Sequence, residues 1–192
     1  MIEWMLDCGY IRRDITHAND AIASLVQGGR LDLMQQIVLL HSPPREQASL
    51  CLHSWWNAIK QACEQGYLEM LQWLMDHPLG RELRRNMKAH RKYSHLIRLA
   101  GQNDQAEIMG YLYEQGGAEE AEQDPIVIRK YADELRVAIR YDRCNPVKWL
   151  VENIAFPDLG HPGYMIINIT TKFRRFNILQ LLHELGSSKS LI

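Results

Sequence analysis

A helix–turn–helix pattern recurs along nearly the whole chain, and this periodicity restricts the possible folds more than any single motif does. The clearest copy occupies residues 58–74, where Gly66 separates two apolar segments. In the second segment, Met70, Leu71 and Leu74 recur on one helical face. A pair of short amphipathic helices cannot bury its apolar face alone, whereas stacked pairs share a continuous core. The sequence therefore predicts an all-α chain of stacked helix pairs.

Glycine or aspartate occupies the turn of four copies. Gly29, Gly66, Asp104 and Asp142 follow one another at steps of 37, 38 and 38 residues. Both residue types readily enter the left-handed or capping conformations of such turns. A last copy follows 32 residues later, and a partial copy opens the chain within its second helix. These copies predict one repeat domain over residues 1–192, with cores near residues 1–9 (partial), 21–41, 58–77, 96–116, 134–153 and 166–186.

The apolar face of each second helix predicts the shared core, because stacking against the neighbouring pair removes that face from water. The predicted core residues are Leu33, Met34, Ile37, Met70, Leu71, Leu74, Ile108, Met109, Leu112, Val147, Leu150, Ile178, Leu179 and Leu182.

The segment from Ala62 to Leu74 resembles the ankyrin repeat, whose core has paired alanines, a glycine, and a second helix ending in paired leucines. It is similar in particular to divergent ankyrin repeats of amoebal viruses, oomycetes and intracellular bacteria. In those repeats a Trp–Leu pair often ends the second helix, as Trp73 and Leu74 do here. The resemblance covers residues 1–186. It implies an ankyrin-like α-solenoid that binds other proteins, and in a pathogen or virus it suggests a host-directed effector or adaptor in the host cytosol.

The chain departs from the ankyrin pattern in its first helices and its spacing. The Thr-Pro-Leu-His start is absent, and residues 57–60 read Asn-Ala-Ile-Lys in its place. Steps of 37 and 38 residues exceed the roughly 33 of ankyrin repeats, and residues 80–92 and 126–131 can each form an additional helix. A different α-solenoid with three helices per repeat therefore stays open. The long connections are residues 42–54, 77–95, 117–133 and 154–165.

A basic segment near the middle of the chain is the first candidate binding surface. Its cations recur at three- and four-residue steps, which place them on one helical face. Such a face predicts a site for phosphate groups, an acidic partner or a nuclear-import receptor, and the alternative is the solvated face of a linker helix. Tyr93 is the sole nearby aromatic residue, which disfavours single-stranded nucleic acid. The cations are Arg81, Arg84, Arg85, Lys88, Arg91 and Lys92.

An acidic run one repeat further along is expected to be a solubilising loop. It follows Gly116 and Gly117, precedes Pro125, and contains no cation. It can also face the basic segment and partly neutralise it. Its acids are Glu114, Glu119, Glu120, Glu122 and Asp124.

Two adjacent tryptophans, Trp55 and Trp56, form the second candidate surface. Neighbouring residues on a helix point about 100° apart, so both side chains are not expected in the core. Tryptophan is enriched at interaction hot spots, and these two lie where ankyrin arrays present their protruding fingers. The alternative is one buried and one partly buried tryptophan that pack a long connection. Trp73 and Trp149 occupy equivalent repeat positions and are predicted to be packing residues.

Composition and motifs disfavour catalysis. The net charge is −1, the four cysteines are dispersed, and the eight histidines lack the spacing of metal ligands. No phosphate-binding or hydrolase motif is present. Cys51, His53 and Cys144 are the candidates that an unrecognised enzyme would need. We expect no catalytic residue, no cofactor and no metal.

Location and partner follow from the same features. No apolar run reaches the roughly 18 residues that cross a bilayer. Glu3 and Asp7 stand where a secretory signal carries basic residues, so a soluble, cytoplasmic chain is expected. The predicted function is a protein–protein interaction scaffold. The first alternative is an electrostatic binder of nucleic acid or phosphoinositide through residues 81–98, and the second is an unrecognised enzyme.

Overall fold

The chain is all-helical, as its sequence predicts. The structure, a computed structural model, describes residues 4, 7–8, 21–22, 24–40, 48–90, 92–156 and 162–189, and every regular element within these ranges is a helix. The chain forms two compact units, Met1–His90 and Arg91–Ile192, called here the first and second units. No helix in the described ranges is both long and apolar enough to span a membrane. The predicted partial repeat at residues 1–9 lies mostly outside the described residues.

Four longer helices are described in the first unit. They are α1 (Leu31–Leu40), α2 (Ala48–Gln65), α3 (Leu68–Asp76) and α4 (Pro78–Ala89), and residues 24–27 form a helical turn before α1. Helices α2, α3 and α4 pack on one another. Helix α4 is the additional helix expected within residues 80–92. It approaches α3 so closely that a Cβ at Gly80 would lie 1.9 Å from the carbonyl oxygen of Leu74.

The described residues of the second unit form seven α-helices. In chain order they are α5 (Tyr93–Gln102), α6 (Ala106–Leu112), α7 (Ala118–Gln123), α8 (Pro125–Arg140), α9 (Cys144–Asn153), α10 (Pro162–Lys172) and α11 (Phe176–Lys189). A kinked segment, Tyr113–Gly117, joins α6 to α7, and Gly116 within it has non-helical φ and ψ of 165° and −10°. Helix α8 packs against both α5 and α10, and helix α9 packs against both α6 and α11. The first helices of three successive pairs, α5, α8 and α10, thus pack in series. The second helices, α6, α9 and α11, do the same.

Five turns share one backbone geometry. Each has a residue of positive φ: Gly29 at 67°, Gly66 at 81°, Asp104 at 63°, Asp142 at 60° and Arg174 at 55°. In each, the next residue donates its N–H to the carbonyl five residues earlier, the closure of a Schellman-type helix end. The predicted turns at Gly29, Gly66, Asp104 and Asp142 are confirmed, and the turn at Arg174 is an addition. The closing pairs are Arg30–Leu25, Tyr67–Ala62, Gln105–Ala100, Arg143–Ala138 and Arg175–Thr170.

Most of the predicted core is buried. All fourteen predicted core residues are buried except Leu179 and Leu182, which are partly buried on α11. The apolar stripe of the second helices is therefore read correctly from the sequence, and only its last two positions remain partly accessible to water.

The expectation of an acidic loop at residues 114–124 is wrong. The chain passes from α6 through the kinked segment into the helix α7, and Asp124 then caps the start of α8. Gly116 and Gly117 permit this path because side chains there would strike Tyr93 and Ile97, with a Cβ at 2.6 and 2.5 Å from the two side chains. This close approach brings Glu120 to the start of α5, where it is buried instead of exposed.

Candidate functional site

Trp55 lies inside the first unit. Its side chain is 1% exposed, and its indole Nε1 donates a hydrogen bond of 3.0 Å to the carbonyl of Leu74. Its ring lies 4.5 Å from the ring of His77 and 5.9 Å from that of Trp73. In this position Trp55 offers no surface to a partner. Trp56 is partly buried, so the pair matches the alternative of one buried and one partly buried tryptophan.

His77 links this aromatic cluster to the start of α4. Its Nδ1 accepts the N–H of Leu79 at 3.3 Å, which caps the first turn of α4 ahead of Pro78. A histidine that accepts at Nδ1 is neutral there, and burial lowers its pKa from the usual value of 6.5. The aromatic cluster of Trp55, Trp73 and His77 therefore fixes where α4 begins.

Helix α4 separates an apolar face from a basic face. Leu79, Leu83 and Met87 are buried on one side, while Arg81, Arg85 and Lys88 are exposed. The predicted helical face of cations is therefore present in the first unit, at the register that the three- and four-residue steps indicate.

Part of this positive charge is compensated. The Arg81 guanidinium donates from Nε to the carbonyl of Asp76 at 2.8 Å, and Arg84 lies 3.6 Å from the Asp76 carboxylate. Arg84 is also partly buried. A partner that approaches α4 therefore meets Arg85 and Lys88 first.

The remaining predicted cations belong to the second unit. Lys92 is exposed just before α5, and Arg91 lies outside the described residues. Arg98, at the end of the basic segment 81–98, is exposed on α5. The segment that looks continuous in sequence is thus divided between two separately packed units.

Two buried carboxylates in the second unit were not anticipated from the sequence. Glu120 accepts the backbone N–H groups of Tyr93 at 2.8 Å and Ser94 at 2.9 Å, and so caps α5 from 27 and 26 residues away. Glu134 on α8 is 1% exposed, and burial raises its pKa to about 7 against the opposing charges of Arg98 and Arg143. A hydrogen bond with the Gln102 side chain opposes this rise as well.

The thiol of Cys144, one of the candidate residues for an unrecognised enzyme, is poorly suited to nucleophilic attack. Burial, followed by the charges of Asp142 and Asp104, raises the pKa of Cys144. A reactive thiolate needs a lowered pKa. His53 is exposed and lies 3.2 Å from the Asn57 amide nitrogen, and the Cys51 side chain lies outside the described residues. Within the described part of the chain, no three His, Cys, Asp or Glu side chains are grouped to hold a metal ion.

The turns of the second unit expose two aromatic side chains that the sequence did not single out. Tyr141, before the left-handed residue Asp142, is 62% exposed, and Phe176, two residues after Arg174, is 73% exposed. They stand 35 residues apart in the chain, so no local motif contains both. The 32-residue step between the two turns is the signal that would have placed them on neighbouring repeats.

Comparisons with known proteins give no family assignment. No protein-family model, no curated protein and no solved structure matches the chain.

Proposed function

We propose that the chain is a protein-binding scaffold built as an ankyrin-like α-solenoid. The observation that carries this proposal is the series of five left-handed turns at Gly29, Gly66, Asp104, Asp142 and Arg174, all closed by the same backbone hydrogen bond. Repetition of one turn geometry at steps of 37, 38, 38 and 32 residues is typical of stacked helix pairs. The serial packing of α5, α8 and α10 supports the same interpretation.

Binding suits such an architecture better than catalysis does. Stacked helix pairs present rows of side chains over an extended surface, which favours contact with a macromolecule over enclosure of a small substrate. The raised pKa of Cys144 further disfavours a thiol nucleophile in the second unit.

The basic face of α4 is the contact surface of the first unit in this proposal. Leu79, Leu83 and Met87 fix the rotation of the helix, so Arg85 and Lys88 point to solvent. These cations favour a partner with acidic groups and raise the rate at which it associates. Trp56, also predicted to bind a partner, is partly buried and offers less surface than the exposed Arg85 and Lys88 do.

The test is chemical crosslinking with mass spectrometry on the full chain, in lysate treated with nuclease. We expect a discrete protein to crosslink near α4 and to be lost in the double variant Arg85→Glu and Lys88→Glu. The control is Asn86→Ala, which changes an exposed neutral side chain of the same helix. The proposal would be contradicted if wild type captured the protein only in lysate without nuclease. It would also be contradicted if Asn86→Ala lost the protein as completely as the double variant does.

A second candidate function is electrostatic binding of nucleic acid or phosphoinositide through residues 81–98. It is favoured by the exposed Arg85 and Lys88 on one helix face, with exposed Lys92 and Arg98 further along the chain. This candidate predicts that affinity for an oligonucleotide or for phosphoinositide vesicles falls steeply between about 50 and 200 mM salt. Salt-insensitive protein capture would exclude it.

A further inference from the structure

Two turns of the second unit are held side by side by their own side chains. The Arg175 guanidinium donates from Nε to the carbonyl of Arg140 at 2.9 Å, across 35 residues of chain. The Asn177 amide donates to the Asp142 carboxylate at 3.2 Å. The turn at residues 140–143 and the turn at residues 172–176 therefore form one continuous surface.

This surface is basic and aromatic. Its exposed members are defined here as the turn-tip surface: Arg140, Tyr141, Lys172, Arg174 and Phe176. The acid within these turns, Asp142, is partly buried, with one carboxylate oxygen accepting from the Asn177 amide and the other buried. The two turns therefore carry exposed cations and no exposed acid.

Aromatic rings hold several of the cations in place. The Arg140 guanidinium lies 5.2 Å from the centre of the Phe173 ring, and the Lys172 ammonium lies 6.0 Å from it. Arg143 lies 5.2 Å from the Tyr141 ring centre. Cation–π contacts of this kind reduce the freedom of long side chains before a partner arrives, which lowers the entropy lost on binding.

Arg174 has a backbone conformation that arginine rarely adopts. Its φ is 55°, in the left-handed region that glycine, asparagine and aspartate favour. Glycine closes the equivalent turns at Gly29 and Gly66, so the fold does not need a side chain here. The Arg174 side chain is exposed. Strained residues of this kind are found at functional positions.

We propose that the turn-tip surface docks an acidic protein segment that also carries apolar side chains. Carboxylates of the segment pair with Arg140, Lys172 and Arg174, and its apolar groups cover Tyr141 and Phe176. Arginine and aromatic residues together are typical of interaction hot spots. A net charge of −1 on the whole chain disfavours nucleic acid as the occupant, because nucleic-acid-binding domains are usually strongly basic. The inference rests on the proposed function as a protein-binding scaffold and adds the chemistry of a partner.

The test is fluorescence anisotropy with the full chain and a labelled acidic peptide, EELDELE. We expect saturable binding, weakened about tenfold or more by Arg174→Gly and by Phe176→Ser. Peptides EEGDEGE, which lacks the leucines, and KKLRKLK, which reverses the charge, should bind much more weakly. The matched control is Arg129→Ser, which removes an exposed arginine near the start of α8, away from both turns, and should change the affinity by less than about twofold.

Several results would overturn this inference. They are the absence of saturable peptide binding, equal binding of the reversed-charge peptide, equal loss in Arg129→Ser, and tighter binding of an oligothymidylate of about twelve nucleotides. If a protein crosslinks to α4 but the peptide fails to bind, the proposed scaffold function stands. Only the turn-tip surface is then excluded as a docking site. Circular dichroism melting of each variant identifies any loss of binding that comes from unfolding.

Discussion

The two units close the same left-handed turn in different ways. The first unit uses Gly29 and Gly66, which reach positive φ without steric cost but offer no side chain. The second unit uses Asp104, Asp142 and Arg174. There the Asp104 and Asp142 side chains make contacts between successive helix pairs, which a glycine cannot do.

The aspartate turns form a ladder. Asn145 donates to the Asp104 carboxylate at 3.4 Å, and Asn177 donates to the Asp142 carboxylate at 3.2 Å. Each asparagine lies three residues after the next left-handed turn residue, Asp142 or Arg174. Successive helix pairs of the second unit are thus joined through polar side chains as well as through the apolar core.

The same contrast extends to the interior. Among the described residues, the buried charged side chains are Glu120 and Glu134, and both belong to the second unit. In the first unit, apolar and aromatic side chains instead pack around Trp55. There His77 accepts the N–H of Leu79, two residues further along the chain. The stability of the second unit should therefore depend more on pH and on individual polar groups than that of the first unit does.

The largest expected effect is the pH dependence that Glu134 gives the second unit. Its pKa of about 7 in the folded chain exceeds its usual value of 4.5, so the folded state binds the proton more tightly. The free energy of unfolding is therefore highest below about pH 4.5 and falls by up to about 3 kcal/mol as the pH rises through 7. Amide hydrogen exchange of wild type and Glu134→Gln, measured from pH 5 to 8, checks this.

The first unit should respond to pH in the opposite direction. The pKa of His77 is lowered on folding, so its neutral form is favoured and stability falls as the pH drops below about 6.5. Protonation also removes the Nδ1 acceptor for Leu79. Protection factors, which correct for the slower intrinsic exchange at low pH, should fall on acidification in the first unit and not in His77→Asn, and this result would sharpen the contrast. The same pH response in both units would break it.

The second expected effect is the loss of the long-range cap on α5. Glu120→Ala leaves the N–H groups of Tyr93 and Ser94 without their carboxylate acceptor. We expect the free energy of unfolding to fall by about 2–3 kcal/mol, because hydrogen bonds to a buried charged group are lost. Urea denaturation measures it, with Glu122→Ala as the control on the exposed side of α7. Equal effects in the two variants would show that Glu120 does not act as a cap.

The third effect concerns the glycine turns of the first unit. Gly66→Ala places a Cβ on a residue with φ of 81°, and we expect a loss of about 1–2 kcal/mol from steric strain. Gly28→Ala is the control, since a Cβ at Gly28 meets its nearest heavy atom at an ordinary 3.7 Å. Thermal unfolding distinguishes the two variants. A neutral Gly66→Ala would mean that the turn tolerates a side chain here as it does in the second unit.

The fourth effect tests the ladder itself. A double-mutant cycle of Asp142→Gly and Asn177→Ala should give a coupling energy of about 0.5–1 kcal/mol, typical of an exposed hydrogen bond. The measurement is the free energy of unfolding of wild type, both single variants and the double variant. Strict additivity would show that the aspartate turns are not joined to the next helix pair.

The sequence predicts what depends on local periodicity. The helix pairs, four of the five turns and nearly all of the core follow from apolar residues at helical spacing and from turn-forming residues. It does not reveal Glu120, because the N–H groups that Glu120 caps lie 26 and 27 residues away. The 32-residue step places a last turn at residue 174, but the residue type there does not, since arginine carries no turn signal. Of the adjacent pair Trp55 and Trp56, only packing against His77 and Leu74 decides which is buried.

Arg174→Gly gives the smallest change in stability and tests most directly whether the second unit keeps side chains in its turns for recognition. Relief of the left-handed strain, offset by the greater freedom of glycine in the unfolded chain, should raise the free energy of unfolding by up to about 1 kcal/mol. On the same sample, affinity for the acidic peptide should fall about tenfold. A variant that is less stable than wild type and binds the peptide equally well would contradict this assignment and place the Arg174 side chain in folding instead.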